Sequence, residues 1–230
     1  MESSLIFVTA LILVSFISGI ESTTFNIHNN CPYTIWPATL GNSGIPQLST
    51  TGFALGQGVT SSIGAPAGWA GRIWARTFCG TDGSGQFGCP VGDCGTGQIS
   101  CNGRSGAPPT SLVEIALNGN GGSQDSYDVS LIDGFNLPVT VTPGGCQSSS
   151  CPVDINSMCP SNLAVTSNGG VIGCNSDPQL FKSQCPQAYA NPSDPDTMTC
   201  QVEVITKLPS ALDQYVRTIY ILLLFSSLST

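Results

Sequence analysis

Two features of the chain act together and constrain its fold more than any other: an apolar leader and eleven cysteines behind it. The leader runs from Leu5 to Ile17 and passes into small residues, with Glu2 and no Lys or Arg ahead of it. It reads as a secretory signal peptide over residues 1–23, cleaved near Ser22 or Thr23. The run is shorter than the ~20 residues that span a bilayer, which argues against the competing reading as a transmembrane helix. An exported chain meets an oxidising compartment, so its cysteines are expected to form disulfides. Because eleven is odd, at least one thiol is left outside the intramolecular pairs.

The same residues exclude much chemistry. His28 is the sole histidine, which makes a His-based zinc site or a Ser-His-Asp triad hard to build. A cysteine-only zinc site competes on residue type, but secretion and scattered spacing argue against it. No metal and no cofactor is expected. The net charge is −8, and loss of Met1 to Ser22 removes Glu2 and Glu21 and no base, leaving −6. Such a surface is not drawn to nucleic acid or anionic lipid.

Strand signals fill the rest. TTFNIHNNCPYTIWPA alternates apolar and polar residues, and FALGQGVTSSIGAP, WAGRIWARTF, SLVEIALNG and YDVSLIDGFNLPVTVTP continue the pattern between Gly/Pro turns. Amphipathic helical patterning is nearly absent, so the expected class is all-β. The stretch CGTDGSGQFGCPVGDCGTGQISCNGRSGAPP carries four cysteines and little apolar surface, so local disulfides must hold it. A second cysteine-rich stretch runs from Gly145 to Cys200. There is no internal repeat.

FNIHNNCPYTIWPATL, PQLSTTGFAL, WAGRIWARTFC, GDCGTGQISCNG, APPTSLVEIALNG, YDVSLIDGFNLPV and CPVDINSMCP, in this order, resemble the plant thaumatin-like proteins, which include thaumatin-type pathogenesis-related proteins. The resemblance runs from about Thr24 to Cys174 and resumes from Phe181 to Cys200. It implies a flattened antiparallel β-sandwich flanked by two smaller disulfide-held lobes, with a cleft between the sandwich and the larger lobe. The implied layout is a family domain over 24–200: sandwich core at 24–76 and 109–152, a small disulfide loop lobe at 77–108, a shortened cysteine-rich lobe at 153–185 and a return to the core at 186–200. Residues 201–230 form a divergent tail. The implied pairings are Cys79–Cys89, Cys94–Cys101, Cys146–Cys200, Cys151–Cys185 and Cys159–Cys174, which leaves Cys31 as the thiol outside them. A secreted, apoplastic monomer is the implied form.

Two departures stand out. Family members usually carry a long insertion with four cysteines after the position of Cys174, where GCNS here runs straight into DPQLFKSQCPQAYA. They also usually end soon after the position of Cys200 in a strand whose cysteine pairs with the one at the position of Cys31; no such cysteine follows Cys200 here. VEVIT (Val202 to Thr206) alternates and offers a substitute strand. The closing run TIYILLLFSSL reads either as a glycolipid-anchor signal, with attachment at Ser210 or Ala211, or as a disordered or misencoded tail outside the domain. Stable membrane insertion is not expected.

Antifungal members of the family often line their cleft with one arginine and four acids. The matching positions are Arg72, Glu114, Asp128, Asp133 and Asp194, with Asp196 competing for the last. Carboxylates accept hydrogen bonds from the hydroxyls of a neutral glycan, and an aromatic face such as Tyr127 or Phe135 is a candidate to stack on the sugar ring. Hydrolysis needs more, namely an acid of raised pKa and a second carboxylate. Glu114 between Val113 and Ile115 takes the acid role if it is buried, and Asp133 the partner role. Blander readings compete: Glu114 solvated, Asp133 capping a turn, Arg72 and Asp128 structural. Asp128 and Asp133 are five apart and converge only if the strand bends or ends before Gly134. The leading expectation is a defence protein that binds fungal or plant cell-wall β-1,3-glucan. A weak endo-β-1,3-glucanase is the alternative, and a truncated splice or gene-model variant with no cleft function is the third.

Overall fold

In the computed structural model, residues 22–117, 124–195, 197–201 and 216–223 are described. The leader up to residue 21, the VEVIT segment, Ser210, Ala211 and Asp196 lie outside these residues.

Period-two sequence becomes period-two burial. In β1 (Ser22–Asn29), Phe25 and Ile27 are fully buried while Asn26 and His28 stay half-buried on the other face. Two five-stranded sheets close on one core. The first has the order β10 (Ser149–Cys151), β9 (Val139–Pro143), β14 (Val216–Leu223), β1 and β3 (Thr60–Pro66). The second has the order β13 (Met198–Gln201), β8 (Gln124–Ser130), β7 (Leu112–Ala116), β4 (Ala70–Arg76) and β2 (Trp36–Gly41). Their inner faces share one cluster that includes Phe25, Ile63, Trp69, Ile73, Val113 and Val129. The molecule is an all-β, antiparallel sandwich in which, among the described residues, one pair of strands runs parallel, β1 with β14.

That contact changes the reading of the tail. The apolar run assigned to a tail outside the domain supplies β14, which lies between β1 and β9 inside the first sheet. Its alternation explains why. Ile219, Ile221 and Leu223 are buried opposite Phe25, Ile27 and Asn29, whereas Tyr220 is 56% exposed. Each buried aliphatic contributes roughly 1.5–3 kcal/mol by burial. Cys31 follows β1 and is fully buried, with its Sγ 3.9 Å from the Leu223 carbonyl oxygen. Burial pushes its thiol up to about 11, against a smaller opposing effect of a hydrogen bond with Tyr33.

Five disulfides hold the rest: Cys79–Cys89, Cys94–Cys101, Cys146–Cys200, Cys151–Cys185 and Cys159–Cys174. The first two bind the glycine-rich loops around the short strands β5 (Gly80–Thr81) and β6 (Phe87–Gly88). These loops pack on the outer face of the second sheet, where Trp74, Cys94, Cys101 and Leu112 form a smaller cluster. Arg76 anchors them. It is 1% exposed, donates to the carbonyls of Trp36 and Ile99, and lies 5.3 Å from the centre of the Phe87 ring. Desolvation lowers its pKa to about 10, so it remains a cation at neutral pH. Beyond β10, the hairpin of β11 (Ala164–Ser167) and β12 (Gly170–Cys174) and the short helix α1 (Pro178–Gln184) complete the chain's second disulfide-held region.

Candidate functional site

The site grows from strand register on the outer face of the second sheet. Arg72 on β4 pairs with Glu114 on β7, and Glu114 pairs with Asp128 on β8. Directly opposed residues share a face, so three charged side chains form a row across three strands. The Arg72 guanidinium lies 3.8 Å from a Glu114 carboxylate oxygen, with both side chains about one-third exposed. A pair this open is worth ~0–1 kcal/mol, so it orients the two groups more than it stabilises the fold.

Beside the row is an open pocket of about 270 Å³, lined by Arg72, Leu112, Glu114, Ser130, Ile132, Asp133, Tyr189 and Pro192. Asp133 reaches it because β8 ends at Ser130. The chain then turns through Leu131 to Gly134, closed by the Gly134 N–H to the Leu131 carbonyl at 3.0 Å. Gly134 has φ +94°, and a Cβ there would meet Pro109 at 2.6 Å, so this turn requires glycine. The break in strand geometry is what frees Asp133 from the alternation that governs Asp128.

Asp128 itself, at the β8 end of the row, is 7% exposed and does not line the pocket. Burial first, and then the nearby Glu114 charge, raise its pKa to about 7 against a weaker opposing hydrogen bond from Thr197. That bond, from the Thr197 hydroxyl to Oδ2, spans 3.4 Å. Asp128 Oδ1, Arg72 Nε and Ser130 Oγ are buried and make no hydrogen bond within the described chain. The burial that the acid role requires is therefore met by Asp128 and not by Glu114, which has 36% of its side chain exposed.

Asp194 is placed elsewhere. Its Oδ2 accepts from the backbone N–H groups of Ala190 and Asn191 at 2.9 and 3.0 Å and lies 3.4 Å from Lys182 Nζ. Those backbone bonds, with Lys182, hold its carboxyl below the ordinary carboxylate range. It lines a separate depression with Pro178, Gln179, Lys182 and Asn191. The register and the turn thus bring Arg72, Glu114 and Asp133 together at one pocket, with Asp128 beside Glu114, and leave Asp194 out.

The aromatic candidates also shift. Tyr127 and Phe135 are 1% and 0% exposed and belong to the sandwich core, so neither offers a face to a sugar. The ring at the pocket is Tyr189. Strand alternation gives no warning of it, since it follows α1 in an irregular stretch and arrives by a parallel bridge to Ser130. His28 is a strand residue of the first sheet, bonded to Thr60 at 2.9 Å. Trp69 packs edge-on against Phe25 and Trp74 donates to Gly92, so both are packing residues. Among the described residues, no group of three or more His, Cys, Asp or Glu side chains is placed to hold a metal ion. No helix among them is long and apolar enough to cross a membrane.

Comparison with known proteins agrees with this architecture. The thaumatin family model matches residues 29–179. Thaumatin-like protein 1 of Prunus persica is 50% identical over 164 residues, covering 70% of this chain and 66% of its own length. A Prunus avium protein named glucan endo-1,3-beta-glucosidase is 49% identical over 156 residues, covering 66% of this chain and 63% of its own length. The chain thus spans a little under two thirds of the length of these relatives. Among solved structures, a thaumatin-like xylanase inhibitor superposes with a TM-score of 0.53 at 21% identity, covering 86% of this chain and 97% of its own, which speaks to the fold alone. The register, the disulfides and the family match converge: the chain belongs to the thaumatin family.

Proposed function

We propose that the protein is a secreted defence protein of the antifungal, pathogenesis-related type that binds β-1,3-glucan through the pocket lined by Arg72, Glu114 and Asp133. The observation that carries this reading is the convergence of Arg72, Glu114 and Asp133 in one open pocket of about 270 Å³. A neutral glycan brings hydroxyls and no charge. Two carboxylates accept from those hydroxyls, and a guanidinium donates to ring and hydroxyl oxygens. The pocket is near the small end of the ~300–1,000 Å³ range for small-molecule sites, which suits one ring of a chain that continues along the surface. Five disulfides fit an oxidising, extracellular setting. The Prunus avium relative's name is consistent with a glucan ligand.

Hydrolysis is the second reading, favoured by Asp128, whose carboxyl keeps its proton up to about pH 7 beside Glu114. A glycosidic acid must touch the leaving oxygen, and Asp128 is not in the pocket's lining. Binding without turnover therefore follows more directly. The test is retention of oxidised, soluble protein on insoluble β-1,3-glucan, with released reducing sugar measured in parallel. Retention without sugar release is the expected result. Sugar release that disappears in Glu114→Gln identifies an enzyme. No retention by correctly oxidised protein points to a variant without cleft function.

A further inference from the structure

The pocket has two unlike walls. Arg72, Glu114 and Asp133 make one side polar. Tyr189 and Pro192 stand on the other, with Leu112 and Ile132 completing an apolar part of the lining. Tyr189 is held firmly for a residue outside regular structure. Its N–H donates to the Val129 carbonyl and its carbonyl accepts from the Leu131 N–H, both at 2.8 Å, so its backbone is fastened to the end of β8. Its hydroxyl donates to the Pro192 carbonyl at 2.9 Å, which braces the ring against the loop that forms the rest of this wall. The residue is half-buried and lines the pocket. No role in the acidic row requires an aromatic there.

We infer that Tyr189 is the specificity-determining residue of the pocket, presenting its ring to the apolar face of one sugar while the opposite wall takes that sugar's hydroxyls. This deepens the glucan-binding reading and rests on it. A β-linked glucose ring carries its hydroxyls equatorially and turns C–H groups to both faces, so it lies flat on an aromatic surface. A galactose ring raises one hydroxyl at C4 and spoils one face. A ring fixed by two backbone bonds and a hydroxyl bond loses little entropy when the sugar docks. The polar wall then fixes orientation.

The experiment is calorimetric titration of the full oxidised chain with a soluble β-1,3-linked gluco-oligosaccharide and with its galacto-configured counterpart. Wild type is expected to prefer the gluco ligand. Tyr189→Ala is expected to weaken gluco binding about tenfold or more, while Tyr189→Phe, which keeps the ring, stays within about twofold. Tyr189→Leu keeps apolar bulk without a ring and is expected to lose the gluco-over-galacto preference; it also covers the case in which the alanine variant folds poorly. Retention of wild-type affinity in both Tyr189→Ala and Tyr189→Leu overturns the inference and leaves glucan binding standing. A loss in Tyr189→Phe as large as in Tyr189→Ala also overturns it, because the hydroxyl bond to Pro192 and not the ring is then what matters. Wild-type protein that binds neither ligand overturns the glucan reading and this inference with it.

Discussion

The two sheets of the sandwich use the same inner face and opposite outer ones. Inside, both present alternating aliphatic and aromatic residues to one core. Outside, the first sheet is solvated and short-range: Asn26 bonds Ser62 at 2.6 Å, His28 bonds Thr60, and Tyr220 stands exposed. The second sheet is covered at one end by the disulfide loops on Trp74 and Arg76 and left open at the other, where Arg72, Glu114 and Asp128 lie in register. On that second face Asp128 is desolvated beside Glu114, and its carboxyl pKa is raised. The turn after β8, with Ile132 and Asp133, and the stretch carrying Tyr189 and Pro192 are what turn this side of the sandwich into a pocket.

The comparison breaks most visibly on the inner face of β14. Ile221→Asp puts a carboxylate at a position that is 1% exposed, next to Ile27, and is expected to cost more than ~4 kcal/mol and to prevent stable folding. The readout is Cys31: its buried thiol is expected to be unreactive to a thiol titrant in native wild type, to appear as one equivalent on denaturation, and to be open in the variant without denaturant. A variant with wild-type thermal stability and a silent Cys31 would show that β14 is not integral to the sheet.

The outer face of the second sheet gives the next largest effect, with opposite sign. Asp128 has its folded pKa raised to about 7, above an unfolded value near 4. Its contribution is therefore fully present below about pH 4 and is lost as pH rises to about 7, where it amounts to ~4 kcal/mol of destabilisation. Asp128→Asn keeps the shape and removes the titration. Denaturant unfolding at pH 4 and pH 7 is expected to show the variant more stable than wild type at neutral pH and nearly equal to it in acid. A variant that is equally or less stable at both pH values would mean the carboxylate is well solvated or paired.

A smaller effect separates the two acidic depressions. Asp194→Ala removes the acceptor of two backbone N–H groups and is expected to cost ~1–2 kcal/mol in unfolding free energy. Because Asp194 lies outside the main pocket, retention on glucan is expected to stay within about twofold, whereas Glu114→Gln, at the pocket, reduces it several-fold. The reverse pattern would move the binding site to the Lys182 depression. At the small end, Tyr220→Ser on the solvated face of the first sheet is expected to change stability by no more than ~0.5 kcal/mol.

Sequence reasoning reached the inner faces easily, because alternation in FNIH, EIAL and YDVS is set by a core that every strand must meet. It reached Arg72, Glu114 and Asp133 through a motif pattern, and β-register then placed the first two side by side. The closing apolar run is locally ambiguous, since TIYILL has the length of a strand and the hydropathy of an anchor, and only the slot between β1 and β9 makes it a strand. Tyr127 and Phe135 are candidates for a sugar-facing ring in the sequence because nothing local distinguishes a core aromatic from a site aromatic.

The amino-acid order alone determined the all-β class and the expectation of an oxidised extracellular protein, because periodicity and cysteine count are local properties, and it marked the candidate acids only through the resemblance of its motifs to the family. Which carboxyl holds its proton, which aspartate is absorbed by backbone amides and which aromatic faces the pocket were decided only in the tertiary structure. Burial and cross-strand neighbours set those properties, and both arise from residues far apart in the chain.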